Sequence, residues 1–231
     1  YTRHCKNTLY VVNIDFSMDS ICDLLARTLN DMAYDDDIKV VLLLIDYPGG
    51  ASTQIEKIDR ALKLLRKKGK YIVAVVDSYA ASGGYVFASA AHKIFTRGGS
   101  IVGSIGAYYL IEDDRRKLKD KGIEFDRIYT HHPSDYIDDH AKDFFDRDLE
   151  RTYKEFKQTI KIRRKLTKQE IDDIGNGQWY SGLAAYKIGL VDALDGYCGA
   201  FDLIDCLFNH EAYGFVFIPN EFVIRRWLKG L

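Results

Sequence analysis

Three stretches of the chain are almost wholly apolar, and the segments between them repeat apolar residues at helical spacing. Thr8 to Phe16 (TLYVVNIDF) is rich in β-branched and aromatic residues, which predicts a strand. Ser20 to Ala33 sets Ile21, Leu24, Leu25, Thr28, Leu29 and Met32 along one helical face. Lys39 to Ile45 (KVVLLLI) is a continuous apolar run, the pattern of a strand covered on both faces. It ends at Asp46-Tyr47-Pro48-Gly49-Gly50. Ile55, Ile58, Ala61, Leu62 and Leu65 then predict a second helix, which Gly69 stops. Tyr71 to Val76 (YIVAVV) reads as a third buried strand. Strand and helix alternating at this spacing predict an α/β fold with a parallel sheet and right-handed crossovers.

Beyond Val76 the pattern shortens. Short strands are expected at Lys93 to Thr96, Ile101 to Val102 and Gly106 to Ile111, a helix at Asp113 to Lys121, and a strand at Phe125 to Tyr129. Asp139 to Leu166 is charged and long-period, which predicts a long helix. Its stripe of Phe144, Phe145, Leu149, Tyr153, Phe156 and Ile160 is expected to pack in the core or on another subunit. Arg163-Arg164-Lys165 reads as an exposed helix end, and Trp179 and Tyr180 as core residues. Asp113-Asp114 and Asp172-Asp173 read as solvated helix starts.

A chain of 231 residues can bury a sizeable core as one domain, with residues 201–231 as an extension of unassigned role. The 33 Lys and Arg nearly balance the 34 Asp and Glu, which argues against a nucleic-acid partner. No apolar run approaches the roughly 18 residues that span a bilayer. Tyr1 carries neither a start methionine nor a signal-peptide pattern. The chain is therefore expected to be an excised soluble portion, with any membrane association through a segment outside it. Cys5, Cys22, Cys198 and Cys206 form no CxxC pair, and no disulfide framework is expected.

In parallel α/β sheets, chemistry gathers where strands end and loops enter helices. Pro48-Gly49-Gly50 lies at one such end. Its glycines permit a sharp turn that aims amide N–H groups into a cavity, as an oxyanion hole or anion site requires, although taken alone the motif reads first as a plain tight turn. Asp77-Ser78-Tyr79-Ala80-Ala81-Ser82-Gly83-Gly84-Tyr85 lies at another. It puts Ser82 at a helix start, as a simple N-cap or as a nucleophile favoured by the helix dipole. Ala80 replaces the first glycine of a GxSxG elbow. Gly98 to Gly106 (GGSIVGSIG) reads as close-packed turns beside a site, without the Lys-Ser/Thr ending of a phosphate loop.

Taken in order, LLLIDYPGG, VDSYAASGGYVFASAAHKIF, GSIVGSIGAY and GNGQWYSGLAAYKIGLVDALDGY resemble the signal peptide peptidase (protease IV) family of serine–lysine proteases. The resemblance spans roughly Leu9 to Gly199. It implies a Clp/crotonase-type α/β fold of repeated β-β-α units, with a parallel sheet core and a long C-terminal helix. It also implies an acyl-enzyme serine peptidase needing no metal or organic cofactor. Ser82 would be the nucleophile, and amides near Gly49, Gly50 and Gly83 the oxyanion hole. Gly103 and Ser104 would border a groove that holds an extended peptide by strand addition. The implied partners are a peptide or unfolded protein substrate and further copies of the chain in a ring-like homo-oligomer. Cellular relatives place the protein at a membrane or outside the cytoplasm, phage relatives in the cytoplasm or the assembling virion. Tyr47 departs from the serine usual before Pro-Gly-Gly, at a position that is not catalytic.

The general base departs from the family pattern. Aligning Ile128 to Asp135 on the family's segment puts Ser134 where the lysine belongs, while Asp135 matches. A serine hydroxyl is no base near neutral pH, whereas a desolvated lysine is. Three readings stay open: an inactive form, natural or engineered; another base, His132 or His131; or a shifted alignment in which Lys142, Lys117 or a lysine of a neighbouring subunit serves. Two rival functions accompany these readings. One is a catalytically inactive peptide-binding or assembly scaffold, and the other a crotonase-like acyl-CoA enzyme using Pro48-Gly49-Gly50. His131, His132, Asp135, Asp138, Asp139 and His140 are ligand types at spacings that fit no standard metal site, so no metal is expected.

Overall fold

The computed structural model describes residues 8–15, 18–109, 117, 119–122, 139–209 and 214–218. The elements in order are β1 (Thr8–Ile14), α1 (Met18–Tyr34), β2 (Ile38–Tyr47), α2 (Ser52–Lys67), β3 (Tyr71–Ala81), α3 (Gly83–Ser89), β4 (Lys93–Thr96) and β5 (Ile101–Gly103). They continue with α4 (Asp139–Arg164), α5 (Lys168–Ile174), β6 (Trp179–Ser181), α6 (Gly182–Lys187), α7 (Gly196–Leu207) and β7 (Gly214–Ile218). The chain divides into two compact units, residues 1–106 with 156–231, and residues 107–155.

The first unit is built on one sheet of order β6-β5-β3-β2-β1-β7, with β4 also on β3. Every pairing is parallel except β5 with β6. The continuous apolar runs are explained by cover on both faces. Val41, Leu43 and Ile45 join a core with Leu25 and Leu29 of α1, Leu62 and Leu65 of α2, and Phe87 of α3. Val40 and Leu42 face the other way, onto Ala200, Ile204 and Phe208. The segment after Gly199 is thus a structural cover for the sheet's second face, followed by an edge strand on β1.

β3 runs five residues beyond the expected Val76 and serves two partners in turn. Val73 to Val76 pair with β4, and Tyr79 to Ala81 with β5. The β2–β3 register slips between Ile45 and Tyr47, and Asp46 Oδ1 accepts the Tyr79 amide there at 3.1 Å. Ser100 Oγ donates to the Asp77 carbonyl at 2.7 Å, between the two halves of the strand. Residues 104–109 form no regular strand, contrary to the expectation for Gly106 to Ile111; the rest of that stretch and the strand at Phe125 to Tyr129 lie outside the described residues.

The expected stripe on α4 divides. Ile160 is fully buried and Phe156 packs on the core of the first unit. In the second unit Phe144 is 64% exposed. There Tyr109 sets its ring edge-on to Phe145 at 5.1 Å and donates its hydroxyl to Asp148, which also pairs with Arg151. At the basic helix end Lys165 is exposed, as charge suggested, but the two arginines are not. The Arg163 and Arg164 side chains are 11% and 9% exposed. Each is drawn in by a carboxylate and a backbone carbonyl. Among the described residues, no helix is long and apolar enough to cross a membrane, and Cys22, Cys198 and Cys206 form no disulfide.

Candidate active site

β3 delivers Ser82 to the point where the sheet gives way to α3. Ser82 holds φ 50° and ψ −118°, a conformation that costs a non-glycine residue about 1–3 kcal/mol. Its neighbours impose it. The Ser82 amide donates to the Gly103 carbonyl at 2.8 Å, and its carbonyl accepts from Tyr85 and Val86 at 3.0 and 3.1 Å. The residue occupies the N-cap position, yet its hydroxyl makes no capping bond. The simple N-cap role is therefore not what the side chain performs. It stays half-buried beside the turn.

Gly49 closes against this serine. With φ at +109°, a Cβ there would lie 2.8 Å from Ser82 Cβ and 2.9 Å from the Gly83 nitrogen. The position admits only glycine, both for its backbone and for its space. Behind it, a Cβ on Gly84 would strike the Tyr47 carbonyl oxygen at 2.0 Å, so α3 must approach the end of β2 as bare backbone. The Gly83 amide opens α3, where the first amides have no acceptor within their own helix. Gly50 follows Gly49 and is exposed.

Gly103 and Ser104 stand on the other side of Ser82. β5 ends beside Ala81, and Ser104, like Ser82, holds a positive φ, at 51°. The Ser104 amide donates to the Gln178 carbonyl at 2.7 Å, and the Gly177 amide to the Ile105 carbonyl at 3.1 Å. Residues 177–181 thus form the outer rim of the site through β6. Sequence reasoning matched this segment to the family but did not give it a place. Its signal was the glycine pair Gly175 and Gly177 ahead of the β-prone Trp179-Tyr180. Trp179 is 68% exposed, which corrects its assignment to the core; Tyr180 is the one that packs inward, under Gly103.

Ser82, Gly49, Gly83, Gly103 and Ser104 are therefore brought together. Ser134, His131, His132 and Asp135 lie outside the described residues, as do the side chains of Asp138, Asp139 and His140. Lys117 and Lys142 are exposed side chains of the second unit. His92 sits at the far end of β3, on the order of 30 Å along the strand. Its Nδ1 accepts the Ile72 amide at 2.9 Å, and its ring stacks on Tyr71 at 4.4 Å. Among the described residues no group of three or more metal-ligating side chains converges.

The parallel sheet, with a strained serine at the mouth of a glycine-lined turn, defines a ClpP/crotonase-like α/β domain. Residues 64–207 match peptidase family S49, and the chain belongs to that family. The chain is similar to Protease 4 of Haemophilus influenzae, 28% identical over 82% of this chain and 32% of the relative. It is also similar to the probable protease SohB of the same organism, 31% identical over 67% of this chain and 45% of the relative. A third relative is the chloroplastic serine protease SPPA of Arabidopsis thaliana, 24% identical over 76% of this chain and 27% of the relative. The chain spans less than half the length of each of these three.

Proposed function

We propose that this chain is a serine endopeptidase domain acting on extended or unfolded peptide segments, with Ser82 as its nucleophile. The observation that carries the reading is the Ser82 turn: a strained serine whose hydroxyl is unused by the helix it precedes, facing a glycine that only a bare backbone could fill. In this reaction Ser82 Oγ attacks the scissile carbonyl carbon and passes its proton to a base. The carbonyl oxygen becomes an oxyanion received by amides of Gly49 or Gly50 and Gly83. The acyl-enzyme forms as the amine departs with a proton, and water then releases the acid. Each amide of such a cradle is worth about 3–4 kcal/mol in the transition state. Gly103 and Ser104 border the groove for the substrate strand. Self-assembly into a ring, proposed on the family resemblance, is read by light scattering.

A second reading is favoured by one sequence observation. Ser134 stands where the family resemblance expects the basic lysine, so the chain would bind peptide without turnover. Peptide hydrolysis by this chain, by Ser82→Ala and by Ser134→Lys separates the two. Activity only in Ser134→Lys assigns the dyad and makes the present chain a silent form. Activity already present, and lost in Ser82→Ala, makes another residue the base, with His132 tested next. Silence in all three forms, with peptide still bound, leaves the scaffold reading.

A further inference from the structure

The helices behind the site are joined a second time, away from the turn. α2 follows Gly49 and carries the buried Asp59, which is 7% exposed. α3 follows Ser82 and ends in the buried Ser89, which is 1% exposed. Arg163, at the end of α4, enters between them. Its Nη2 donates to Asp59 Oδ1 at 2.6 Å, and its Nη1 donates to the Val86 carbonyl at 2.9 Å and to Ser89 Oγ at 3.1 Å. Lys63 holds the other Asp59 oxygen at 2.8 Å, and Ser89 Oγ donates in turn to the Val86 carbonyl at 2.7 Å. Arg66 of α2 closes the same seam, donating to the Ala90 and Ala91 carbonyls at 2.7 and 3.1 Å.

A buried ion pair is weak evidence of added stability, because desolvating both charges offsets most of their attraction. What a planar guanidinium supplies is direction: one fork holds a carboxylate on one helix while the other holds a carbonyl and a hydroxyl on the next. The site needs that direction. The Gly49 backbone meets Ser82 and the Gly83 nitrogen with no room for one methyl group. The spacing between the start of α2 and the start of α3 therefore sets whether the amides face the reacting oxygen.

We propose that Arg163 is a positioning residue: by bridging Asp59 on α2 to Val86 and Ser89 on α3, it fixes the separation of Gly49 and Gly83 and so the amide cradle in front of Ser82. Its catalytic consequence rests on the peptidase reading above.

The test compares Arg163→Lys with Arg164→Lys, in whichever form turns over, this chain or Ser134→Lys. Lysine retains the charge toward Asp59 but not the second fork. Arg164 is an equally buried neighbour that bonds the Gly189 carbonyl and Asp192 instead. Arg163→Lys is expected to lower kcat per titrated active site about 10- to 100-fold with KM nearly unchanged, the signature of a misplaced reacting group. Arg164→Lys is expected to lower the unfolding midpoint while kcat per site holds. Ser89→Ala is the milder variant should Arg163→Lys fold poorly; losing one acceptor is expected to cost roughly 2- to 5-fold in kcat. Hydrogen exchange is read in parallel, with faster exchange expected at residues 83–86 in Arg163→Lys and not in Arg164→Lys.

An unchanged kcat per site in Arg163→Lys, or an equal loss in Arg164→Lys, overturns the proposal. Hydrolysis that survives Ser82→Ala overturns the peptidase reading instead. If no form hydrolyses peptide, that reading falls, and exchange alone decides the clamp: unchanged exchange at residues 83–86 overturns it too.

Discussion

Ser82 and Ser104 share a positive φ and differ in their surroundings. Each follows the last residue of a strand, the two strands pair in register at Ala81 and Gly103, and each serine holds a left-handed φ of 50° or 51°. After Ser82 the chain enters a helix, and Gly49 closes against it. After Ser104 the chain runs on without regular structure, and its amide is taken up by Gln178. Strain by itself therefore does not mark a nucleophile. The difference lies in what surrounds the residue: the close Gly49 turn and the start of α3 at Ser82, the Gln178 carbonyl of the neighbouring segment at Ser104.

Removing the hydroxyls breaks the comparison most sharply. Ser82→Ala is expected to lower kcat on the order of 10⁴-fold or more, as for removal of an acyl-forming serine. Ser104→Ala is expected to cost only a few-fold, seen in KM, since its contribution comes from the backbone. Equal losses in a peptide hydrolysis assay would refute the assignment. Next in size are the paired glycines. Gly49→Ala is expected to reduce kcat about 10²- to 10³-fold by displacing the cradle. Gly103→Ala carries the same backbone penalty at φ +106° but meets the Tyr180 ring at 2.9 Å and the Gln178 carbonyl at 3.2 Å rather than the serine, and should lower thermal stability more than kcat.

Stability reads the strain directly. Ser82→Gly and Ser104→Gly should each raise the unfolding free energy by about 1 kcal/mol, because glycine accepts positive φ without penalty. Only the first should abolish hydrolysis. A denaturant titration showing no gain at either position would show that the surroundings, not the residue, carry the cost. The smallest effect belongs to the far end of β3. Burial, reinforced by the Arg66 guanidinium, holds the His92 imidazole below its ordinary range. The unfolded chain then takes up a proton first, so stability is full above about pH 6.5 and declines as the pH falls below it. His92→Gln should flatten that decline in unfolding midpoints measured across pH, with hydrolysis by the Ser82 turn unaffected at neutral pH.

Much of this arrangement is legible in the sequence, for a physical reason. Lys39 to Ile45 needs apolar residues on both faces because helices cover both, so periodicity and burial agree. Ser82, Gly49 and Gly83 stand out because only small residues and bare backbone fit so close an approach. Asp77-Ser78-Tyr79 hid the second half of β3, since all three side chains are exposed, on both faces of the strand, and the polar residues read as a loop. Arg163 and Arg164 were hidden by their charge: their burial depends on Asp59 and Asp192, partners distant in sequence that no local pattern reveals. Trp179 erred the other way, an aromatic residue left outside because its edge strand turns that face to water.

The pairing of Gly103 with Trp179 sets an order of events during synthesis. The ribosome delivers Ser82 and its glycines early, but the Gly103 to Gly106 segment has no outer partner until residues 177–181 have emerged. Contacts between such distant parts of a chain form late. The Ser82 turn thus stands without its outer edge while the chain is still being made, and the candidate site is completed only when the most distant of its segments arrives.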